Sequence, residues 1–450
     1  MPSKRPAGMV GFTLVWFGQL VSLMGTAMSG FALTIFAWQF SGKATNLALV
    51  GFFSFAPAVV FSPIAGALVD RWNKKLVMAL SDLAAGLMTI LVLVLYQLGV
   101  LQVWHLMATG FVSGIFQAFQ FPAYSAAISV MIPKQQFTRA SGMMSLAEVG
   151  SGVLSPVLAG ALIGVIGIGG ILWIDIITFI FAISMLLIIQ IPPTPRSAAG
   201  EEGKGSLLQE AAYGFKFILK RPNLLGLQLV FFFGNFLGMF MWTLMAPMIL
   251  ARTGDNTIVL GSVQSIASIG GVIGGVAIST WGGFKRKIYG VLIGWTLSGT
   301  FVAIFGLGKS LLHWGVAVFL LELTTMIVNP SNQAIWQSKV PPDVQGRVFS
   351  VRRLIAQISG PMAMLVSGPL ADYVFEPGMK QAGSGLNQWL GSIFGSGPGA
   401  GMGVLITVTG LLTILVGLLP LSIPAIRNVE TLLPDFEVEQ ETAPEPAIGE

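Results

Sequence analysis

Long apolar runs separated by short polar turns decide what this chain can fold into. Twelve runs can be laid out, at roughly 11–40, 46–69, 76–98, 104–131, 140–166, 171–191, 223–250, 257–281, 288–307, 313–338, 345–373 and 400–422. A bilayer crossing takes ~20 apolar residues, and each run is long enough. Backbone groups in lipid must bond internally, so runs of this length are helices. The composition agrees, with only 10% charged residues against ~25% in soluble domains. The expected class is an all-α membrane protein with twelve transmembrane helices.

The composition also closes off other classes. The net charge of +5 comes from basic residues spread thinly among loops, which is no footprint for nucleic acid. Without cysteine there is no disulfide framework and no thiolate metal site, so neither cofactor nor metal is expected. The only two histidines, His105 and His313, are far apart, and no phosphate-binding loop is present. An intramembrane enzyme is therefore a remote alternative. No pore loop repeats, which argues against a channel. Lys4 and Arg5 precede an apolar run to about Phe40. That run exceeds a signal-peptide core of ~7–15 residues and reads as a retained helix.

Positive charge sets the direction. With the N-terminus in the cytoplasm, only Lys43, Arg252, Lys309 and Lys380 of the 24 Lys and Arg fall on the other side. This asymmetry places both termini in the cytoplasm. The chain also repeats. A shift of 208 brings His105 onto His313, Pro122 onto Pro330, Ala126 onto Ala334, Pro133 onto Pro341 and Arg139 onto Arg347. Pro192-Pro-Thr-Pro195 and a polar stretch divide the two copies, since such segments break helices. The expected units are a six-helix half over 1–195, a cytoplasmic linker over 196–222, a second half over 223–427 and an acidic tail over 428–450. The linker holds an amphipathic helix opening at Ser206, with Leu208, Ala211, Ala212, Phe215, Ile218 and Leu219 on one face, suited to the membrane interface. The tail composition suits disorder. Around Leu386-Asn-Gln-Trp389 the external loop is expected to form a short turn.

The turn between the second and third spans carries Gly66-x-x-x-Asp70-Arg71-x-x-Lys74-Lys75. Lys and Arg alone would orient such a turn, so Asp70 points to a specific pairing. The pattern resembles the loop 2–3 motif of the major facilitator superfamily, with Asn73 where that family has Gly. The resemblance implies two pseudo-symmetric six-helix halves around a central site, and alternating access. It makes Gly66, Asp70, Arg71, Lys74 and Lys75 gating residues. Asp70 is expected to meet the cytoplasmic end of the eleventh span, near Arg347, Arg352 or Arg353, when that side is closed.

Polar residues within spans are costly and point to function. Stripes at helical spacing run along the first span (Gln19, Ser22, Thr26, Ser29) and the fourth (His105, Thr109, Ser113, Gln117, Gln120, Tyr124). Two more run along the fifth (Ser141, Ser145, Glu148, Gly152, Ser155) and the tenth (Glu322, Thr325, Asn329, Asn332, Gln333). Interhelical hydrogen bonding would explain about half of these residues. The stripes on the first, fourth and tenth spans fit the superfamily, whose corresponding helices line the central cavity. The cavity set is therefore Gln19, Thr26, Thr109, Ser113, Gln117, Gln120, Tyr124, Glu322, Thr325, Asn329 and Gln333. Asn235 and Trp242 of the seventh span, which is crowded with Met239, Met241, Met245 and Met248, join it. Glu148 is nine residues past Arg139, ~13 Å into the membrane, and Glu322 is equally deep from the other side. A carboxyl at mid-depth can carry a proton, so both are candidate coupling groups. Asp82 and Asp175 sit nearer span ends and read as structural.

Ser151-x-x-x-Ser155-Pro156-x-x-Ala159-Gly160 resembles the antiporter motif of the superfamily, with three glycines replaced by other small residues, and adds Pro156 to the gating set. Ile132-Pro133 to Arg139 and Val340-Pro-Pro-Asp-Val-Gln-Gly346-Arg347-Val-Phe-Ser350 resemble the branch of macrolide-efflux proteins and the enterobactin exporter. That resemblance implies a monomeric proton antiporter exporting an amphipathic compound from a bacterial inner membrane. The compound would be a drug, macrolide, siderophore or peptide natural product. The acid of the first span and the Arg of the fourth, common in drug antiporters of the superfamily, are absent here. A lysolipid or lipid flippase of the same fold is the alternative.

Overall fold

The structure is a computed structural model, and it describes residues 8–189, 191, 207–341, 344–381 and 383–432. Among them it is helical throughout, with no strand. The helices are α1 (Gly8–Ser41), α2 (Ala44–Arg71), α3 (Lys74–Gln97), α4 (Val103–Met131), α5 (Phe137–Ile188), α6 (Leu207–Leu219), α7 (Pro222–Thr253), α8 (Thr257–Trp281), α9 (Lys287–Leu307), α10 (Leu311–Lys339), α11 (Gln345–Leu370), α12 (Gly385–Phe394) and α13 (Ala400–Leu418). After Leu370, α11 continues through a π-helical turn (Ala371–Phe375) to Lys380.

Ten of the described helices are long and apolar enough to cross a membrane. One of them, α5, has 52 residues, about 78 Å at 1.5 Å each, far beyond one crossing. It breaks at Gly167, whose φ of 68° and ψ of 178° suit a residue without Cβ. Splitting α5 there and adding the polar-striped α4 gives the twelve crossings expected. The turns between them are set by caps. Asn73 and Asn256 accept hydrogen bonds from Leu76 N (3.2 Å) and Val259 N (3.1 Å) to open α3 and α8. Gly254, in the left-handed region, closes α7, as such C-caps do. The repeated histidines share one local job. His105 Nδ1 accepts from Gln102 N at 3.0 Å at the start of α4, and His313 Nδ1 pairs with Ser310 Oγ at 2.9 Å at the start of α10.

α1–α5 form one bundle, and α7–α11 with α13 form the other. The bundles meet along two helix pairs, α2 with α11 and α5 with α8. The apolar core shows how they meet. At the end holding the α1–α2 and α7–α8 turns, called the far end below, a single buried cluster draws on both bundles, from Met28 and Ile35 to Met245 and Leu405. At the end holding the chain termini the core is divided. One cluster contains Phe12, Met78, Ile132 and Leu186, and another contains Leu224, Val291, Trp336 and Val348. The molecule is sealed at the far end and split at the other.

Two expectations change at the termini end. Phe217 and Ile218 of α6 are buried with Val344, Val348 and Val351, and a Cβ on Gly214 would lie 2.5 Å from Arg347 O. The linker helix thus docks on α11, while Phe215 and Leu219 of the expected apolar face are exposed. Ser206 lies outside the described residues. The acidic tail is ordered at its start. Val429–Leu432 is a helical turn with Val429 fully buried, and Glu430 accepts from Lys287 N and Ile288 N at 3.0 Å each, capping α9. Residues 433–450 lie outside the described set.

Candidate transport site

The far-end seal is built on small residues. A Cβ on Gly160 would lie 2.7 Å from Thr257 O, and one on Gly368 2.6 Å from Thr45 Cα. Helix backbones can approach this closely only where side chains are absent. Hydrogen bonds follow the contact: Thr257 Oγ1 to Gly160 O (2.8 Å), Ser265 Oγ to Val153 O (2.5 Å) and Ser268 Oγ to Gly152 O (2.9 Å). The antiporter-like segment Ser151–Gly160, Pro156 included, therefore lies on the α5–α8 interface. Along α2–α11, Asp372 accepts from Ala44 N (3.0 Å), Thr45 N (2.8 Å) and Thr45 Oγ1 (2.6 Å). Trp38 Nε1 donates to Asp255 Oδ1 at 2.9 Å. These hydrogen bonds join the bundles at this end.

Below the seal the bundles part. Glu148, Ser145 and Ser141 continue the Gly152 face of α5 at intervals of three or four residues and are exposed, so this stripe lines the cleft. Opposite, Glu322 of α10 is half-buried with no hydrogen-bond or ion-pair partner among the described residues. A Cβ on Gly271 of α8 would lie 3.7 Å from its Oε2. Glu322, Thr325, Asn329 and Gln333 descend one face of α10. Thr325 bonds its own helix at Leu321 O (3.0 Å), and Asn329 is exposed. Gln333 accepts from Arg352 Nη1 at 2.8 Å, and the Arg352 guanidinium stands 5.4 Å from the Trp336 ring centre. On α7, Asn235 is half-buried and Trp242 is 38% exposed. Met241, Met245 and Met248 of the same helix are buried in the far-end core. They pack the seal and leave the cavity to Trp242.

The first bundle places its polar residues differently. Gln19 and Gln120 both donate to Asp82 of α3, at 2.9 and 2.7 Å. These two cavity candidates are held by the acid that the sequence set aside. Thr26 Oγ1 donates to Asp175 at 3.1 Å, and Thr109 and Ser113 border the same pocket as Asp175. Gln117 is exposed, and the Tyr124 hydroxyl is buried with no partner among the described residues. Among the residues expected to gate, Lys75 Nζ bonds the carbonyls ending α5, Leu187 O at 2.9 Å and Ile189 O at 2.6 Å. Lys74 is buried at the first turn of α3. The guanidinium of Arg347 lies 5.8 Å from the Tyr213 ring. The side chains of Gly66, Asp70 and Arg71 are outside the described residues. Asp372 is what the sequence reading missed, whereas Asp175 was read there as structural and here accepts hydrogen bonds from Thr26 and Thr89.

Two pseudo-symmetric helical bundles, sealed at one end around a polar cleft, define a multi-pass membrane transporter. The chain belongs to the Major Facilitator Superfamily, whose model matches residues 15–364. It is 27% identical over 387 residues to macrolide efflux protein A of Streptococcus pyogenes, covering 84% of this chain and 91% of that protein. Identity to the multidrug efflux pump Tap of Mycolicibacterium fortuitum is 24% over 370 residues, 78% of this chain and 87% of that one. Among solved structures, the fold is similar to a bacterial homologue of the human lysosomal transporter Spinster in its inward-facing, unoccupied conformation. The TM-score is 0.68 at 16% identity, over 92% of this chain and 96% of that one.

Proposed function

We propose that this protein exports an amphipathic organic compound by alternating access, in exchange for protons. In this reading the termini end faces the bacterial cytoplasm, the protein sits in the cytoplasmic membrane as a monomer, and the conformation described is open to the inside. The observation that carries the reading is the apolar core, shared by both bundles at the far end and divided around the cleft at the other. Relatives named for macrolide and multidrug efflux support export as the direction. In this reading Glu148, exposed on the same face of α5 as Gly152, exchanges a proton with water. Glu322, half-buried and unpaired, is placed to meet a cationic or hydroxyl-bearing group of the substrate. An unpaired carboxylate inside a membrane protein is costly unless something neutralises it.

The test is uphill movement of a macrolide in proteoliposomes under an imposed pH gradient. Glu148→Gln should abolish uphill transport and spare downhill exchange. Glu322→Gln should weaken substrate binding and leave the remaining transport pH-dependent. Wild-type protein that moves no macrolide against its gradient, with or without a pH difference, would refute the reading.

A further inference from the structure

A cavity of about 650 Å³ lies at the far end, across the seal from the cleft. That volume takes a drug-sized molecule. The first bundle supplies Trp38 and Lys43 to its wall, and the second supplies Asp255, Tyr373 and Lys380. The cavity is therefore complete only while the bundles are together at this end. Two local irregularities shape it. Asp255 has φ of 63°, a region that residues with a Cβ seldom adopt, and from there its carboxylate holds the Trp38 indole at 2.9 Å. Tyr373 is exposed and comes from the π-helical turn Ala371–Phe375. Such turns occur frequently at functional sites.

The charges on the wall are unequally engaged. Three acids and two lysines line the cavity. Asp372 is spent on the start of α2. Glu376 accepts from Gly399 N at 3.3 Å and Met402 N at 3.0 Å, at the start of α13, and Arg252 Nε donates to Gly399 O at 3.2 Å. Carboxylates at helix starts are matched by the helix dipole. Asp255 is engaged with Trp38. Lys43 and Lys380 are exposed, and their side chains have no hydrogen-bond or ion-pair partner among the described residues. Their position is selective. Of the 24 Lys and Arg, the far end holds only Lys43, Arg252, Lys309 and Lys380. Two of these four line one cavity, one from each bundle, and Arg252 stands behind it.

We propose that this cavity binds a water-soluble organic anion, its acidic group engaged by Lys43 and Lys380 and its apolar body resting on Trp38 and Tyr373. Ammonium groups that the protein leaves unpaired are the donors an anion needs, and aromatic walls with a few polar groups suit a small organic ligand. The two lysines belong to different bundles, so the anion binds only with the far end shut. A ligand shifts an equilibrium by its differential affinity for the two states. The bound anion therefore holds the far end closed, a brake applied from the side opposite the cleft.

The test uses the purified full chain in phosphatidylcholine nanodiscs and reads binding without transport, so its outcome is independent of the export reading. Naphthalene-2-carboxylate is titrated by calorimetry, with naphthalene-2-carboxamide as the neutral counterpart. The expected result is one saturable carboxylate site per chain, at least about tenfold tighter than the carboxamide, the scale of one charge-assisted hydrogen bond. Lys43→Gln and Lys380→Gln change exposed side chains and keep the fold. Each should weaken the carboxylate by about tenfold and leave the carboxamide unchanged. Gly160→Leu, which forces a side chain between α5 and α8 and touches no wall residue, should weaken the carboxylate as well; the lysine variants carry the test should it not fold. The affinity should be the same in phosphatidylglycerol discs. No saturable carboxylate binding, equal binding of the carboxamide, or an affinity unchanged in both lysine variants overturns the proposal. An affinity unchanged in a folded Gly160→Leu overturns it too. Binding lost in phosphatidylglycerol discs would assign the site to a lipid headgroup and overturn the soluble ligand.

Discussion

Asp372→Ala isolates the latch between α2 and α11. Lys43, the N-cap residue of α2, makes no side-chain cap. The first amides of α2 instead find their acceptor in Asp372 of the opposite bundle, at 3.0 Å from Ala44 N and 2.8 Å from Thr45 N. Losing an N-cap costs about 0.5–2 kcal/mol, and losing a negative charge at a helix N-terminus about 0.3–1 kcal/mol more. Together the latch is worth about 2 kcal/mol. Within one bundle that energy would appear as folding stability. Here the two sides separate when the far end opens, and water then solvates both. The loss therefore falls on the conformational equilibrium, about 30-fold toward the far-end-open state, since 1.4 kcal/mol is tenfold. The assay exploits the absence of native cysteine. Met364→Cys puts one thiol beneath the latch, opposite Gly51. Its labelling from the far side by an impermeant maleimide should speed up by about 30-fold in Asp372→Ala, and by less in Asp372→Asn, which keeps one acceptor oxygen. An unchanged rate with a lowered Tm would show that the cap serves folding, and would refute the latch.

Three further outcomes can be checked on the same material. Gly160→Leu puts a side chain where a Cβ alone would come within 2.7 Å of Thr257 O; it should wedge the far end open, raising Met364→Cys labelling and lowering transport, and unchanged labelling would contradict the packing argument. Asp82→Leu strands the Gln19 and Gln120 amides, so it should destabilise the protein by about 1–3 kcal/mol, and an unchanged melting temperature in detergent would sink this. Asp70→Asn should act opposite to Asp372→Ala, slowing far-side labelling of Met364→Cys, and the double variant should return toward the wild-type rate; faster labelling in Asp70→Asn alone would show that Asp70 does not hold the other end shut.

What the sequence discloses here is periodic, and what it hides is juxtaposition. Apolar run length identified the crossings, and the 208-residue repeat was legible down to the first-turn role shared by His105 and His313. The small residues of Ser151–Gly160 announced a close helix contact, which the structure places against Gly261 and Ser265 of α8. Asp372 was passed over because it lies at the end of an apolar run, where an acid needs no explanation. Only the fold brings the uncapped start of α2 beside it. The Met-rich face of α7 has the same periodicity whether it meets a ligand or a neighbouring helix, and burial in the seal decides for the neighbour. The dependence of Gln19 and Gln120 on Asp82 joins three helices, so no spacing within one helix reveals it.

The latch also gives a reason to expect an acid in the loop 2–3 motif. α2 runs from the far end to the termini end and α11 runs back beside it, so each helix begins where the other finishes. At the far end the acid near the finish of α11, Asp372, caps the start of α2. At the termini end the acid near the finish of α2 is Asp70, and the start of α11, at the same end, lacks a side-chain cap of its own at Val344. Asp70 is expected to cap the start of α11 when that end closes, so closing it while opening the other would trade one cap for another of the same kind. Each cap contributes about 2 kcal/mol, but the difference between the two states is only the difference between two like caps. A transporter needs that near-degeneracy, because a bound ligand can shift an equilibrium only by its own differential affinity for the two states. On this argument the acids at 70 and 372 raise the barrier between the open states without strongly favouring either. The choice of state is left to what binds in the cleft.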